Sequence, residues 1–144
     1  MGQADVAFDT TEPSLAELMD AYPPRRYRFS GKDVEGTRLF NVVTLSYEFA
    51  DAVENVFPVE DDTDIPTSGL VVSWTLSGEP AAIRVAVENE ETGGVVEIDL
   101  PGDATEFAVP DGFLEPGTEY VVDVIAIARN GNLTVHDALF TTTE

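Results

Sequence analysis

The chain has 144 residues, enough for one domain or one small domain with an extension, and no cysteine. That composition excludes disulfides, thiolate metal sites and thiol nucleophiles. With 28 acidic against 7 basic residues and a net charge of −21, nucleic acid and anionic membrane surfaces are poor partners, because both are bound through Lys and Arg.

The opening, Gly2 to Thr10, has no clear period, and no secretory leader is visible in it. Ser14-Leu15-Ala16-Glu17 then reads as a capping box. Leu15, Leu18, Met19 and Tyr22 follow at helical spacing, and Pro23-Pro24 ends the run. A short helix over about 14–22 is expected, too short to stand without a surface to lie on.

Two β-prone runs come next, Tyr27-Arg28-Phe29-Ser30 and Thr37 to Phe49, around the polar stretch Gly31 to Gly36. They predict a hairpin over about 26–49. Five of the seven basic residues (Arg25, Arg26, Arg28, Lys32 and Arg38) fall here, so a locally basic segment precedes a strongly acidic one. The passage from Ala50 to Ser68 holds Pro58, Pro66 and the acidic run Glu60-Asp61-Asp62-Thr63-Asp64. It reads as a linker, with Val56-Phe57 as a candidate edge strand.

From Leu70 onward the punctuation is regular. Leu70, Val72 and Trp74 alternate on one face. Ile83 to Glu88, then Val96, Ile98 and Leu100, repeat the pattern. Gly93-Gly94, Pro101-Gly102, Asp111-Gly112 and Pro116-Gly117 mark turns, and Asn130-Gly131 is a strong hairpin signal before a last strand over Leu133 to Thr143. Short strands at this spacing predict an all-β sandwich. No stretch of 18 apolar residues occurs, so no membrane insertion is expected.

The segment Leu114-Glu115-Pro116-Gly117-Thr118-Glu119-Tyr120 closely resembles the tyrosine-corner stretch of fibronectin type III domains. Tyr120, Val122, Val124 and Ala126 match that family's inward-facing pattern, Trp74 its core tryptophan, and Phe140-Thr141-Thr142 its closing strand. The front half, with Glu12-Pro13-Ser14-Leu15, Tyr27 to Gly31, Glu35 to Leu39 and Thr44-Leu45-Ser46, resembles a segment preceding such a domain in a group of uncharacterised exported bacterial proteins. The resemblance implies an extracytoplasmic chain, periplasmic or secreted. It also implies that this is the C-terminal part of a larger protein whose leader is absent from the chain given. It brings no activity.

The expected organisation is therefore an N-terminal extension, residues 1–50, and a fibronectin type III-like, immunoglobulin-like sandwich, residues 51–144, with the helix and hairpin packed on it. If Tyr120, Val122, Val124 and Ala126 point inward, Val121, Ile125 and Ile127 point outward around Asp123. Such an apolar outer face calls either for cover by the extension or for a partner.

Chemistry is thinly supplied. His136 is the only histidine, and a single histidine in a closing strand is read as structural or exposed. No phosphate loop is present, and the Asn132-Leu133-Thr134 sequon is read as chance. Glu60, Asp61, Asp62 and Asp64 are the calcium candidates, since hard oxygen ligands suit Ca²⁺, but the run lacks an EF-hand's glycine and spacing. Glu88, Glu90 and Glu91 crowd a second loop. No catalytic residue and no resident cofactor is assigned. The reading is a non-enzymatic, monomeric recognition or scaffold domain with a protein or polysaccharide partner. A carbohydrate-binding module or an enzyme's accessory domain is the alternative. Candidate sugar-stacking aromatics are Tyr22, Tyr27, Phe29, Tyr47, Phe57 and Phe113.

Overall fold

A computed structural model describes residues 13–144. The expectations placed on residues 1–12, including the irregular opening and Glu12, lie outside the described residues. The chain divides into two compact units, residues 1–47 and 48–144.

In the first unit, helix α1 spans Leu15–Ala21. Its start is the capping box read from the sequence. The Ser14 hydroxyl accepts from the Glu17 amide at 3.4 Å, and the Glu17 carboxylate accepts from the Ser14 amide at 2.8 Å. The Ser14 hydroxyl also donates to Glu17, which draws that carboxyl below its usual range. At the other end the Tyr47 hydroxyl donates to the Tyr22 carbonyl at 2.9 Å, an acceptor the helix C-terminus leaves open, and lies 3.3 Å from the Leu18 carbonyl, which also accepts from the Tyr22 amide at 2.7 Å.

Strands β1 (Arg26–Lys32) and β2 (Arg38–Thr44) form an antiparallel two-stranded sheet, with Arg26 opposite Thr44 and Lys32 opposite Arg38. Two expectations shift. Gly31 and Lys32 belong to β1, because the turn is made by Asp33. Its carboxylate accepts from the Glu35 and Thr37 amides at 2.9 and 2.8 Å, and Gly36 takes φ +85°. The second strand stops at Thr44 and does not reach Phe49. The ladder's last bond runs from the Leu45 amide to the Arg25 carbonyl, and the next positions on the other side are Pro24 and Pro23, which have no N–H to give.

The second unit is a two-sheet sandwich. Its strands are β3 (Val53–Phe57), β4 (Asp62–Ile65), β5 (Val71–Leu76), β6 (Ala82–Asn89), β7 (Val95–Pro101), β8 (Glu106–Ala108), β9 (Glu119–Ile127) and β10 (Leu133–Thr142). One sheet has the order β4-β10-β9-β6-β7, the other β3-β5-β8. Val72, Trp74, Ile83, Val85, Val87, Tyr120, Val122, Val124 and Phe140 fill the space between them. Alternation along β9 is strict, with Tyr120, Val122, Val124 and Ala126 buried and the intervening residues half-buried or exposed.

The passage read as a linker is part of this sandwich. Val53, Val56 and Ile65 are buried in the same core. The candidate edge strand at Val56-Phe57 is the end of β3; the pattern hid its earlier part because the register slips between Glu54 and Phe57, with Asn55 at φ +49°. A bulge there turns two valines three positions apart to the same side, which defeats a period-two reading. The strand's approach is tied down as well. The Asn130 and Asn132 side-chain amides donate to the Glu48 carbonyl at 2.8 and 3.1 Å, and the Thr134 hydroxyl to that of Ala50 at 2.7 Å.

Candidate functional site

The sandwich has two ends and two outer faces on which function can sit. At one end the Tyr120 hydroxyl accepts from the Glu115 amide at 2.9 Å and donates to the Phe113 carbonyl at 3.4 Å. It thereby pins the loop leading into β9. At the other end Glu48–Ala50 meet the β5–β6 connection (Ser77–Ala81), the β7–β8 connection near Gly102, and the β9–β10 turn. Two shallow depressions of 450 and 350 Å³ lie there, sharing Glu79 and Arg129. Each opens widely to solvent, with none of the enclosure a small-molecule site needs.

The calcium candidates are not gathered into a ligand shell. Glu60 is spent on the fold, its carboxylate accepting from the Leu139 amide at 2.8 Å, and the Asp61 amide donates to the Leu139 carbonyl at 2.8 Å. Asp62 and Asp64 lie in β4, the edge strand parallel to β10, where exposed acids also discourage edge pairing. Among the described residues no group of three or more His, Asp or Glu is placed to hold a metal. His136 lies half-buried in β10 opposite Val124.

The candidate aromatics are scattered. Tyr22, Tyr27, Phe29 and Tyr47 lie in the first unit, where Tyr27 donates to the Pro23 carbonyl at 3.1 Å and carries the Arg25 guanidinium 4.9 Å above its ring. Phe57 is in β3, and Phe113 packs on the core against Tyr120.

The outer face of the larger sheet is a more coherent surface. Register aligns Val121, Asp123, Ile125 and Ile127 of β9 with Leu139, Asp137, Val135 and Leu133 of β10. On the other flank stand Glu88, Ala86, Arg84 and Ala82 of β6. Leu133 and Val135 are each about half exposed. At the centre, Asp123 faces Asp137 directly, a like-charge pair across two strands. Partial burial raises the Asp123 carboxyl above its usual value, and Asp137 and then Glu88 push it further. Arg84 on the same face does not relieve it. Its guanidinium is engaged by Asp99 at 2.7 Å and Glu97 at 3.7 Å.

This arrangement has a signed consequence. The folded chain holds the Asp123 proton more tightly than the unfolded chain, so ionised Asp123 works against folding. The penalty is fully present above the raised folded value. It fades as pH falls through that value towards the unfolded one, about 3.9. Asp123→Asn is therefore expected to stabilise the sandwich at pH 7 by about 0.2–1 kcal/mol, solvent screening keeping the gain small. Urea midpoints of the two proteins should converge near pH 4. An equal difference at both pH values would contradict the assignment.

No family model matches the chain. Solved structures do. A myokine structure aligns with 66% of this chain and 99% of its own at 25% identity, TM-score 0.51. The fibronectin type III domain of human collagen alpha-1(XX) aligns over 69% of this chain and 90% of its own at 22% identity, TM-score 0.52. With the strand order, the buried Trp74 and the tyrosine corner, they define the class of the second unit: an all-β, immunoglobulin-like scaffold. More narrowly, residues 48–144 form a fibronectin type III-like domain. Among the described residues no helix is long and apolar enough to cross a membrane.

Proposed function

We propose that the chain is a non-enzymatic, extracytoplasmic recognition or scaffold piece of a larger exported bacterial protein, working through a surface of its fibronectin type III-like domain on a protein partner. The observation that supports this is the outer face of β6, β9 and β10. There Val121, Ile125, Ile127, Val135 and Leu139 surround the opposed carboxylates of Asp123 and Asp137. Apolar area is the composition of the core of a contact surface, where charged residues are scarce, so two carboxylates held together inside it against their own repulsion favour a partner that brings a cation. The resemblance of Tyr27 to Ser46 to the segment preceding such domains in exported bacterial proteins supports the location.

Fractionation of the native host with an antibody to residues 48–144 tests the location directly. Recovery in the periplasmic or secreted fraction is expected, and recovery in the cytoplasm alone sinks the extracytoplasmic reading. A glycan array run on the same protein is expected to be blank. Reproducible binding to a defined glycan would replace the protein-partner reading with the carbohydrate-binding one.

A further inference from the structure

The hairpin of the first unit has two chemically different faces, which the register makes explicit. Arg26, Arg28, Ser30 and Lys32 of β1 share one face with Thr44, Val42, Phe40 and Arg38 of β2. Tyr27, Phe29 and Gly31 share the other with Val43, Asn41 and Leu39. One face thus carries every cation of the two strands, beside Val42 and Phe40, and the other, with Tyr27, Phe29, Val43 and Leu39, carries none. Among the described residues no third strand extends this sheet.

Three features set the hairpin apart from an ordinary solvated ribbon. Lys32 and Arg38 stand directly opposite each other, an unfavourable like-charge pair, and both are exposed. Among the described residues no carboxylate pairs with either: both ion pairs there belong to Arg84. Large apolar side chains also remain in water, Phe29 at 58%, Leu39 at 55% and Phe40 at 68% exposure. Finally, Gly31 leaves a gap next to the end of β1. A Cβ there would meet nothing within 4 Å, and shallow hollows of 490 and 550 Å³ lie beside it.

A two-stranded ribbon is marginal, and its open edges are templates for pairing. We propose that the β1–β2 hairpin accepts a third strand from a partner protein, an extended segment in which acidic residues alternate with apolar ones. Backbone pairing at a hairpin edge supplies the affinity. The period of two sets the specificity: acidic side chains fall on the Arg26, Arg28, Lys32 and Arg38 face, and apolar ones on the Phe29 and Leu39 face. A second copy of the same hairpin is a poor occupant of the β1 edge, because pairing there would set Arg26, Arg28 and Lys32 against cations of the other copy. An anionic polymer would neutralise one face and leave Phe29 and Leu39 wet. This inference rests on the first unit alone, and it survives or fails independently of what the sandwich face binds.

The test uses the full chain, labelled with ¹⁵N, and a ten-residue peptide of alternating Glu and Val. Backbone shifts are expected within Arg26–Lys32 or Arg38–Thr44, with affinity falling as salt rises. The same peptide N-methylated at every residue keeps its charge but has no amide to donate from either edge, so its binding should fall at least tenfold. The double variant Arg28→Glu, Lys32→Glu should lose the acidic peptide and gain a Lys/Val one. A peptide with its glutamates and valines in separate blocks should bind at least tenfold more weakly than the alternating one. Shifts confined to the sandwich would overturn the proposal. So would equal binding of the N-methylated or block peptides, or of a heparin fragment, any of which would make the hairpin a charge-only surface. If the reversed variant loses the hairpin's own amide dispersion, the N-methylated peptide on the unaltered chain still decides the matter.

Discussion

Replacing Tyr120 with alanine is expected to destabilise the sandwich by about 3–5 kcal/mol, and with phenylalanine by about 1–3 kcal/mol. The ring and the hydroxyl do separable work. The ring is fully buried, stacked on Phe140 with centroids 5.7 Å apart and tilted against Phe113 at 5.8 Å. Its removal opens a cavity between Phe113, in the loop before β9, and Phe140, in β10. The hydroxyl takes the Glu115 amide and gives to the Phe113 carbonyl. Phenylalanine keeps the packing but leaves both backbone groups without that partner. The neighbouring Thr142 hydroxyl, which donates to the Glu115 carbonyl at 2.6 Å and accepts from the Thr118 amide at 2.9 Å, holds the same loop from the other side. The phenylalanine variant should therefore remain folded with a melting temperature lowered by roughly 4–8 °C per kcal/mol lost. Urea unfolding followed by Trp74 fluorescence measures both variants. A phenylalanine variant as stable as the parent would show that the loop is held by Thr142 and packing alone.

The tyrosine corner was legible because its parts are contiguous: the turn, the glycine and the tyrosine lie within seven residues. The capping box of α1 was legible for the same reason. What stayed hidden depends on partners distant in sequence. Only the Val56-Phe57 end of β3 showed, its start being masked by the bulge, and β4 reads as an acidic loop because Asp62, Thr63 and Asp64 say nothing of their parallel pairing with β10. The outward Val121, Ile125 and Ile127 follow from alternation alone. Their neighbours across β10, and the confrontation of Asp123 with Asp137, require a register that no single strand encodes. The hairpin is the same case. Its basic character is plain from five cations in fourteen positions, yet their separation from Phe29 and Leu39 onto opposite faces appears only once Lys32 is paired with Arg38. The calcium candidates show the converse. Glu60, Asp61, Asp62 and Asp64 are adjacent in sequence, and the start of a strand spreads them along an edge.

Trp74 is expected to rival Tyr120 in energetic weight, for a reason that concerns how the smaller sheet is closed. β8 has only three residues, pairing with Val71, Val72 and Ser73. Beyond them the contact continues at one end from the Val109 amide to the Leu70 carbonyl at 2.9 Å and at the other through Trp74. The Trp74 amide donates to the Thr105 carbonyl at 3.0 Å, and the indole N–H reaches the Ala104 carbonyl at 2.9 Å. The side chain, 3% exposed, thus fills the core and fastens the β7–β8 connection to it. Trp74→Ala should cost about 3–5 kcal/mol, most of it cavity and lost apolar burial. Trp74→Phe retains much of the volume but orphans the Ala104 carbonyl, for a cost of about 1–3 kcal/mol. Because Trp74 is the only tryptophan, these variants are to be followed by circular dichroism. Hydrogen exchange adds a local readout: in Trp74→Phe the amide of Ala104, which bonds the Pro101 carbonyl at 3.0 Å, should exchange faster, while amides of β9 keep pace with global stability. If Ala104 were unaffected, the indole would be acting through bulk alone, and the short β8 would owe its place to the Val71–Ser73 ladder without it.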